Sequence, residues 1–540
     1  MKILAVIPAR GGSKGIPRKN LRLMDNKPLI FYAINNAKRC ERITDVVVTS
    51  DDNEILDVAL NYGVEAVKRD PGLSDDKTTL DPVIYDATVK TEKIKGYSYD
   101  IVITLQPTSP LLKPETLNNA IDEFIKSNED TYISVVNSPH LAWSKNSTGF
   151  YPLYKERLNR QQLPPYYLET GAFFITKRQY ITVNSRMGKN ISIYEVSENE
   201  STDIDTVNDW IVCENQLKRK KIVLRADGYK KLGMGHIYHC LTLAYQFIAH
   251  DVVFVTNSKY KEGLEKIRST NFPYVTISND EEFFKFLDEY KPDVVVNDCL
   301  DTSKEYIKKL KTLSKRVVTI EDLGAGAESA DAVINALYAD RPYKANVYSG
   351  EKYVCLRDEF ILEDPIEISD KVSNVLVIFG GTDPSNLTEK IYRLALDVTS
   401  SNKDIKFTFL TALSYDCKLH NIYPTSNIEI LSHSKRITKY MKKADLAFTS
   451  QGRTVHELAC MGIPSIVLAQ NEREQLHTFA HMENGFLNLG LGSKVEYETI
   501  KNTFNLLINT PGIRRNMHSL MLKHDLRSGV KRIKNIILGE

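Results

Sequence analysis

A chain of 540 residues is too long for one ordinary core, and at about 100–200 residues per domain it predicts three or four compact units. Its 42% hydrophobic and 26% charged content fits a globular protein and excludes extended disorder. The 71 basic and 69 acidic residues nearly cancel, giving a net charge of +2. That balance removes the electrostatic reason to expect nucleic acid as a partner, and the chain has no run of about 20 apolar residues to span a membrane.

The chain opens on the apolar run "KILAVIPA" without the layout of a signal peptide, and its seven cysteines are scattered without a CxxC pair or zinc spacing. Reduced thiols in a cytoplasmic protein are the expectation. Apolar β-rich runs ("DVVVTSD", "DIVITLQP", "TYISVV") then alternate with helical patterns such as "PLIFYAINNAKRCE" and "PETLNNAIDEFIKSN". This rhythm predicts a mostly parallel sheet covered by helices, with ligands at the carboxyl ends of the strands.

The first such end is "PARGGSKGIPRKN". Gly11, Gly12 and Gly15 let the backbone approach a ligand, Ser13 lies among them, and Arg10, Lys14, Arg18 and Lys19 add cationic donors, a combination suited to a polyanion. The glycine–lysine spacing is not that of a Walker A loop; the alternative is a solvated basic turn. Further on, "STDIDTVNDW" places Asp203 and Asp205 two apart, so that in extended backbone both carboxylates reach one cation; Mg²⁺ favours such a pair plus phosphate oxygens. The alternative is a helix cap from Asp205 or Thr206, supported by Asp209.

"PARGGSKGIPRKN", "LQPTSPLL", "NRQQLPPYYLETGAFFI" and "DIDT", in that order over about residues 1–215, resemble the cytidylyltransferases that make CMP-activated sialic acids and their bacterial relatives. The resemblance implies a Rossmann-like, GT-A-like nucleotidyltransferase fold and CMP transfer from CTP to a nonulosonic acid with release of pyrophosphate. It implies Arg10, Lys19 and Asn20, with Gly11, Gly12 and Ser13, at the CTP phosphates and the reacting centre. Arg69 and Thr78 or Thr79 would lie near the nucleotide, Gln106, Arg160 and Gln161 at the sugar, Phe173 and Phe174 as walls of its pocket, and Asp203 and Asp205 on Mg²⁺. The sequence departs from the family's "PLR" at "PLLK", with Leu112 and Lys113.

The helix pattern "TVNDWIVCENQLKRKK" ends this unit, at about residue 219, and a new strand, "IVLRAD", follows at once. The polar stretch "EDPIEISDKVS" then divides the remainder into two βαβ-type lobes, 221–365 and 370–540. "RADGYKKLGMGHIYH" lacks the third glycine of a dinucleotide fingerprint and places His236 in the first turn of a helix, where the dipole favours a neutral imidazole able to act as a base. A capping or phosphate-contacting histidine is the alternative. "SQGRTVHEL" reads as a strand, a glycine turn and a helix start: Ser450 and Thr454 offer donors to a diphosphate, and Glu457 an acceptor for ribose hydroxyls.

With "FGGTDPSN" and "GIPSIVLAQN", these motifs resemble, over about 221–490, the UDP-sugar hydrolases of the pseudaminic acid pathway, relatives of two-lobed GT-B glycosyltransferases. The resemblance implies catalysis by His236, with Asp227 orienting it; nucleotide binding by Gly381, Ser450, Thr454, Glu457 and Asn471; and sugar binding by Arg225 and Asn386. Water would release UDP and a free sugar from a UDP-linked amino deoxy sugar. A glycosyltransferase, or a non-catalytic nucleotide-sugar-binding domain, is the alternative for this half. The whole then reads as a bifunctional enzyme bracketing a nonulosonate synthase, its pathway partner. "GGSKGIPRKN" is nearer the sialic or legionaminic branch and the second half nearer the pseudaminic one. A homodimer through the first unit is expected, with the aromatic 140–168 segment able to exchange between subunits.

Overall fold

The computed structural model describes residues 1–540 except 14, 76–77, 230–232, 339–345, 381–382, 412–425, 433 and 435. The chain forms two compact units, Met1–Arg219 and Lys220–Glu540. Among the described residues no helix is long and apolar enough to cross a membrane. The described cysteines are all free thiols.

In the first unit a seven-stranded sheet is ordered Ile191–Glu195, Thr131–Asn137, Tyr167–Lys177, Ile101–Leu105, Ile3–Pro8, Asp45–Ser50 and Glu65–Lys68. Ile3–Pro8 pairs in parallel with both neighbours and is apolar along its length because helices cover both faces. The helix Leu29–Arg39 buries Leu29, Ile30, Ala33, Ile34 and Ala37, a stripe at helical spacing, and its last turn carries Lys38 and Arg39 against the dipole. Each such Leu or Ile contributes about 1.5–3 kcal/mol of transfer free energy.

Tyr167–Lys177 runs antiparallel to its neighbours, and its register against Thr131–Asn137 slips between Glu169 and Phe174. The slip carries Gly171 at φ 69°, a backbone conformation that favours glycine. It re-aims the strand at the carboxyl end of Ile101–Leu105.

The second unit has two sheets, each wholly parallel. The first is ordered Tyr274–Ile277, Asp251–Asn257, Lys221–Ala226, Val294–Asp298, Arg316–Ile320, Ala332–Asn335, Val347–Ser349. The second is ordered Ile428–Ser432, Lys406–Thr411, Asn374–Ile378, Leu446–Thr449, Ser465–Ala469, Phe486–Leu491. Both are doubly wound, so the chain reverses direction across the sheet between Lys221–Ala226 and Val294–Asp298, and again between Asn374–Ile378 and Leu446–Thr449. Those crevices are where such sheets bind ligands. This is the GT-B-like architecture of two Rossmann-type lobes.

The lobes are not sequential segments. The last helix, Gly529–Leu538, buries Val530, Ile533 and Ile537 in the first lobe's core beside Ile222 and Val296. Val354, Leu356 and Phe360 pack in the second lobe's core. The expected division at 365–370 therefore shifts: an amphipathic terminal helix returns to cover the first sheet, and the crossover precedes residue 354.

Candidate active sites

In the first unit the glycine loop follows Ile3–Pro8 and is held from both sides. The Gly11 amide donates to Asp51 Oδ1 at 3.1 Å, and buried Asn20 donates Nδ2 to the Arg10 carbonyl at 2.9 Å. A Cβ on Gly15 would stand 2.6 Å from the Asp205 carbonyl, so only glycine lets the loop meet the "DIDT" segment. Lys19 Nζ donates to the Ile204 carbonyl at 2.6 Å and lies 3.7 Å from Asp205 Oδ1. Gly12 faces open space and Ser13 closes the turn, its amide donating to the Gly11 carbonyl at 3.1 Å. Lys14 lies outside the described residues.

Opposite the loop, the Ile204 amide donates to the Thr108 carbonyl, tying "DIDT" to "LQPTSP". Gln106 and Asp203 converge on Gly171: a Cβ there would stand 3.2 Å from Gln106 Nε2 and 3.3 Å from Asp203 Oδ2. Asp203 Oδ1 is buried with no hydrogen-bond partner, and burial raises the pKa of that carboxyl above the ordinary range. Thr206 and Asp209 form a reciprocal capping box at the start of Val207–Leu217, which leaves Asp203 and Asp205 free of capping duty. An orphaned, buried, hard oxygen acceptor beside a second carboxylate suits Mg²⁺. No three His, Cys, Asp or Glu converge as a metal site among the described residues, so phosphate oxygens would have to complete the shell.

Arg69 is buried near this loop: its Nη2 donates to the Thr49 carbonyl at 3.0 Å, its Nε has no partner, and burial lowers its pKa. Thr79 is exposed at the start of the helix Leu80–Lys95. Arg160 and Gln161 stand in an exposed 3-10 turn; Arg160 lies 3.5 Å from Glu198, and among the described residues no hydrogen bond or ion pair joins either residue to the glycine loop. Phe173 corrects the expectation of a pocket wall. It is wholly buried in the core, because alternate residues of a strand face opposite sides and its side meets the covering helices. Phe174 faces the other way, buried under the Arg186 guanidinium at 4.4 Å.

In the second unit, His236 is the second residue of the helix Gly235–Gln246. Its Nδ1 stands 2.5 Å from Asp298 Oδ1, and His239 Nδ1, one turn on, stands 2.9 Å from Asp298 Oδ2. Asp298 ends the strand Val294–Asp298 at the first lobe's crevice and is fully buried. Burial alone would raise its pKa; the two imidazoles, His236 foremost, outweigh it and hold the carboxyl well below the ordinary range. An ionised acceptor between them fixes both Nδ1 atoms as donors, an assignment read from the network, and leaves each Nε2 to take a proton.

The orienting partner of His236 is thus Asp298 and not Asp227. Asp227 is committed elsewhere: it accepts from Arg225 Nη2 at 2.8 Å, from Thr256 Oγ1 at 3.1 Å and from the Asn257 amide at 2.8 Å. Burial would raise its pKa; Arg225, with the Asn257 amide and the Thr256 hydroxyl, outweighs burial and lowers it. Arg225 and Asp227 form a buried ion pair, and the bonds of Asp227 to Thr256 and Asn257 tie two strand ends together.

The second lobe reaches the same place. Arg453, at the start of the helix Thr454–Met461, donates Nη2 to Glu321 Oε2 across the lobes at 2.8 Å. Its Nη1 is buried and unpartnered, and a Cβ on Gly235 would stand 3.0 Å from it. The "GMGH" and "SQGRT" turns therefore meet, the Arg453 guanidinium lying close over Gly235. Arg473 bridges likewise to Asp301 at 3.0 and 3.1 Å. Asp298, Glu321 and Arg453 lie in the motifs "VVNDC", "IEDLGAG" and "SQGRTVHEL", and their convergence on His236 and Gly235 comes from the fold and not from spacing in the chain.

Around this crevice, buried Ser450 turns its hydroxyl toward Gly380, and Thr454 opens the helix; Gly381 lies outside the described residues. Glu457 accepts from Arg357 Nη2 at 2.9 Å. Asn471 is exposed and its Oδ1 accepts the Glu474 amide at 3.0 Å, a local turn. Asn386, at φ 51°, caps Leu387–Ser401 and donates Nδ2 to Glu389.

Residues 4–231 match the family described as Cytidylyltransferase. Over 217 residues the chain is 34% identical to the pseudaminic acid cytidylyltransferase of Campylobacter jejuni, covering 39% of this chain and 93% of that protein. It is also 34% identical over 230 residues to the CMP-N,N'-diacetyllegionaminic acid synthase of Legionella pneumophila, covering 40% and 97%. A Helicobacter pylori protein named as both pseudaminic acid cytidylyltransferase and UDP-2,4-diacetamido-2,4,6-trideoxy-beta-L-altropyranose hydrolase is 25% identical over 529 residues, 94% of this chain and 95% of that one. The chain spans little more than half the length of some other curated relatives, 57% and 51% in two cases. A glycine loop meeting the Asp205 segment, with Gln106 and Asp203 converging on Gly171, agrees with these relatives, which place the chain in the cytidylyltransferase family, fused as in the Helicobacter protein.

Proposed function

We propose that the chain catalyses two steps of nonulosonic acid biosynthesis: activation of pseudaminic acid as its CMP derivative, and hydrolysis of UDP-2,4-diacetamido-2,4,6-trideoxy-β-L-altropyranose to UDP and free sugar. The choice of pseudaminic acid rests on the relation to the Helicobacter protein along nearly the whole chain. A separate synthase would join the freed hexose to a three-carbon unit between the two steps.

In the first unit the sugar's anomeric hydroxyl attacks the α-phosphorus of CTP, and the bond to the β-phosphate breaks to release pyrophosphate. The carrying observation is the orphaned Asp203 acceptor facing Gln106 across Gly171. Asp203 and Asp205 would hold Mg²⁺, which when bound neutralises phosphate charge and lowers the pKa of the attacking hydroxyl. Lys19, Arg10, Arg69 and the amides of Gly11, Gly12 and Ser13 bind and orient the triphosphate; Asn20 fixes the loop through the Arg10 carbonyl. Gln106 orients the sugar.

In the second unit water attacks the anomeric carbon and the bond to UDP breaks. The carrying observation is the His236–Asp298 contact. His236 Nε2 takes the proton from water, and Asp298 steadies the imidazolium that forms. UDP leaves as an anion facing Arg453, Ser450 and the start of the helix Thr454–Met461.

Mass spectrometry of the full chain with CTP, Mg²⁺ and pseudaminic acid, and separately with the UDP-sugar, tests both readings. Release of pyrophosphate with CMP-sugar, and of free hexose without an added acceptor, is expected. Legionaminic acid used in preference would move the first step to that branch, and dependence on an acceptor alcohol would make the second unit a glycosyltransferase. A homodimer through the first unit is supported by the hairpin Trp143–Asn146 and Gly149–Pro152, whose Trp143 and Phe150 are 55% and 73% exposed. Solution mass measurement, with Trp143→Ser/Phe150→Ser expected to yield monomer, tests it.

A further inference from the structure

One feature of the hydrolytic centre exceeds the needs of a single base: Asp298 serves two imidazoles. His236, His239 and Asp298 are 6%, 8% and 0% exposed, so bulk water does little to screen them. The other titratable groups facing them are accounted for. Glu321 and Arg453 pair with each other and their charges cancel. The Cys240 thiol lies 3.8 Å from Asp298 Oδ2, the Cys355 thiol 3.9 Å from the His239 carbonyl, and Cys299 follows Asp298 directly; burial raises all three, so they stay neutral. One uncompensated negative charge, on Asp298, therefore faces two imidazoles, and it can fully support only one imidazolium.

We propose that His239 is a positioning residue that divides the Asp298 carboxylate and thereby keeps His236 in its neutral, proton-accepting form. This rests on the reading of His236 as the base. The Nδ1–H of His239 occupies Oδ2 and spreads the carboxylate's charge away from Oδ1. Without that donor the charge concentrates on His236 Nδ1–H and favours the imidazolium, which cannot accept a proton from water.

The test compares His239→Phe, which cannot donate, with His239→Asn, whose amide nitrogen stands near the position of Nδ1. For hydrolysis of the UDP-sugar, the acid limb of the kcat/KM profile should move to higher pH by about one unit in His239→Phe, the size expected for loss of a hydrogen bond to a charged acceptor. His239→Asn should restore the wild-type limb. A merely structural His239 would alter yield and stability and leave the limb in place in both variants, which would overturn the proposal.

Imidazole nitrogen NMR of the full chain supplies a readout independent of turnover. Low-field Nδ1 protons on both His236 and His239 are expected, with the titration of His236 raised in His239→Phe. An Nδ1 of His239 without a proton would overturn the proposal even if Phe at 239 prevented folding. Absence of hydrolysis by the wild-type chain, with both low-field Nδ1 protons present and the His236 signal responding to His239→Phe, would remove the hydrolase reading and leave the positioning role of His239 standing.

Discussion

Replacing Arg453 by Met removes one partner of a cross-lobe ion pair while keeping the volume of its stem. Glu321 is 7% exposed at its side chain and Arg453 27%, and Glu321 holds a left-handed φ of 54° at the end of its strand. Removing one partner of a fully buried pair costs about 3–5 kcal/mol; partial access of water at Arg453 lowers the expectation to about 2–3 kcal/mol. The loss has a pH signature. Burial alone would raise the Glu321 carboxyl, and Arg453 holds it below the ordinary range. In the wild type this stabilisation is present above the unfolded pKa of about 4.3 and fades as pH falls through the folded value. In Arg453→Met burial and the Asp298 charge outweigh His236, the folded value rises, and Glu321 takes up a proton on acidification, so the gap to the wild type narrows as pH falls toward the unfolded value.

The assay exploits the position of the two tryptophans, Trp143 and Trp210, which both lie in Met1–Arg219. In urea, fluorescence follows the first unit and far-UV circular dichroism follows both, so the variant should shift a dichroism transition and leave the fluorescence transition in place. Glu321→Gln/Arg453→Met should recover to within about 1 kcal/mol of wild type, because no charge is left unpaired. A gap that stays constant with pH, or a double variant as unstable as the single one, would refute the argument.

Four further outcomes are expected. Asp203→Asn should lower pyrophosphate release by about 10²-fold or more while leaving hydrolysis intact, and should not destabilise the first unit, since it removes a buried charge with an unpartnered oxygen. His236→Ala should do the reverse, abolishing release of free hexose and sparing CMP transfer; equal loss of both activities would argue against two separate sites. Asp298→Asn should cut hydrolysis by about 10²–10⁴-fold and move its acid limb to lower pH, as the imidazolium loses its counter-charge. Gly171→Ala should cost about 1–2 kcal/mol for a side chain at φ 69° and depress CMP transfer further than stability, by displacing Gln106 and Asp203.

Much of the chemistry was legible as motif. The loop "PARGGSKGIPRKN" follows its strand directly, and local composition suffices to read a polyanion turn there. His236 in a helix's first turn was equally readable, because capping and dipole are local effects. Phe173 was misplaced because adjacent strand residues face opposite sides, and sequence alone does not say which side is core. Asp227 is the orienting partner that the resemblance implies; the carboxylate that fills the role lies 62 residues beyond His236, at the end of a neighbouring strand.

The division of labour follows from the range of the forces. Alternation of strand and helix, glycine turns, and the start of each catalytic loop depend on backbone sterics and hydrophobic period over a few residues, and the sequence by itself determined them. Which groups share a charge is a matter of through-space distance. The meeting of Gly235 with Arg453, the hold of Glu321 on that arginine, and the joint claim of His236 and His239 on Asp298 arise only when two lobes and the crossovers of parallel sheets bring distant segments within about 3 Å, where a buried carboxylate must find donors or be neutralised. The tertiary structure decided those.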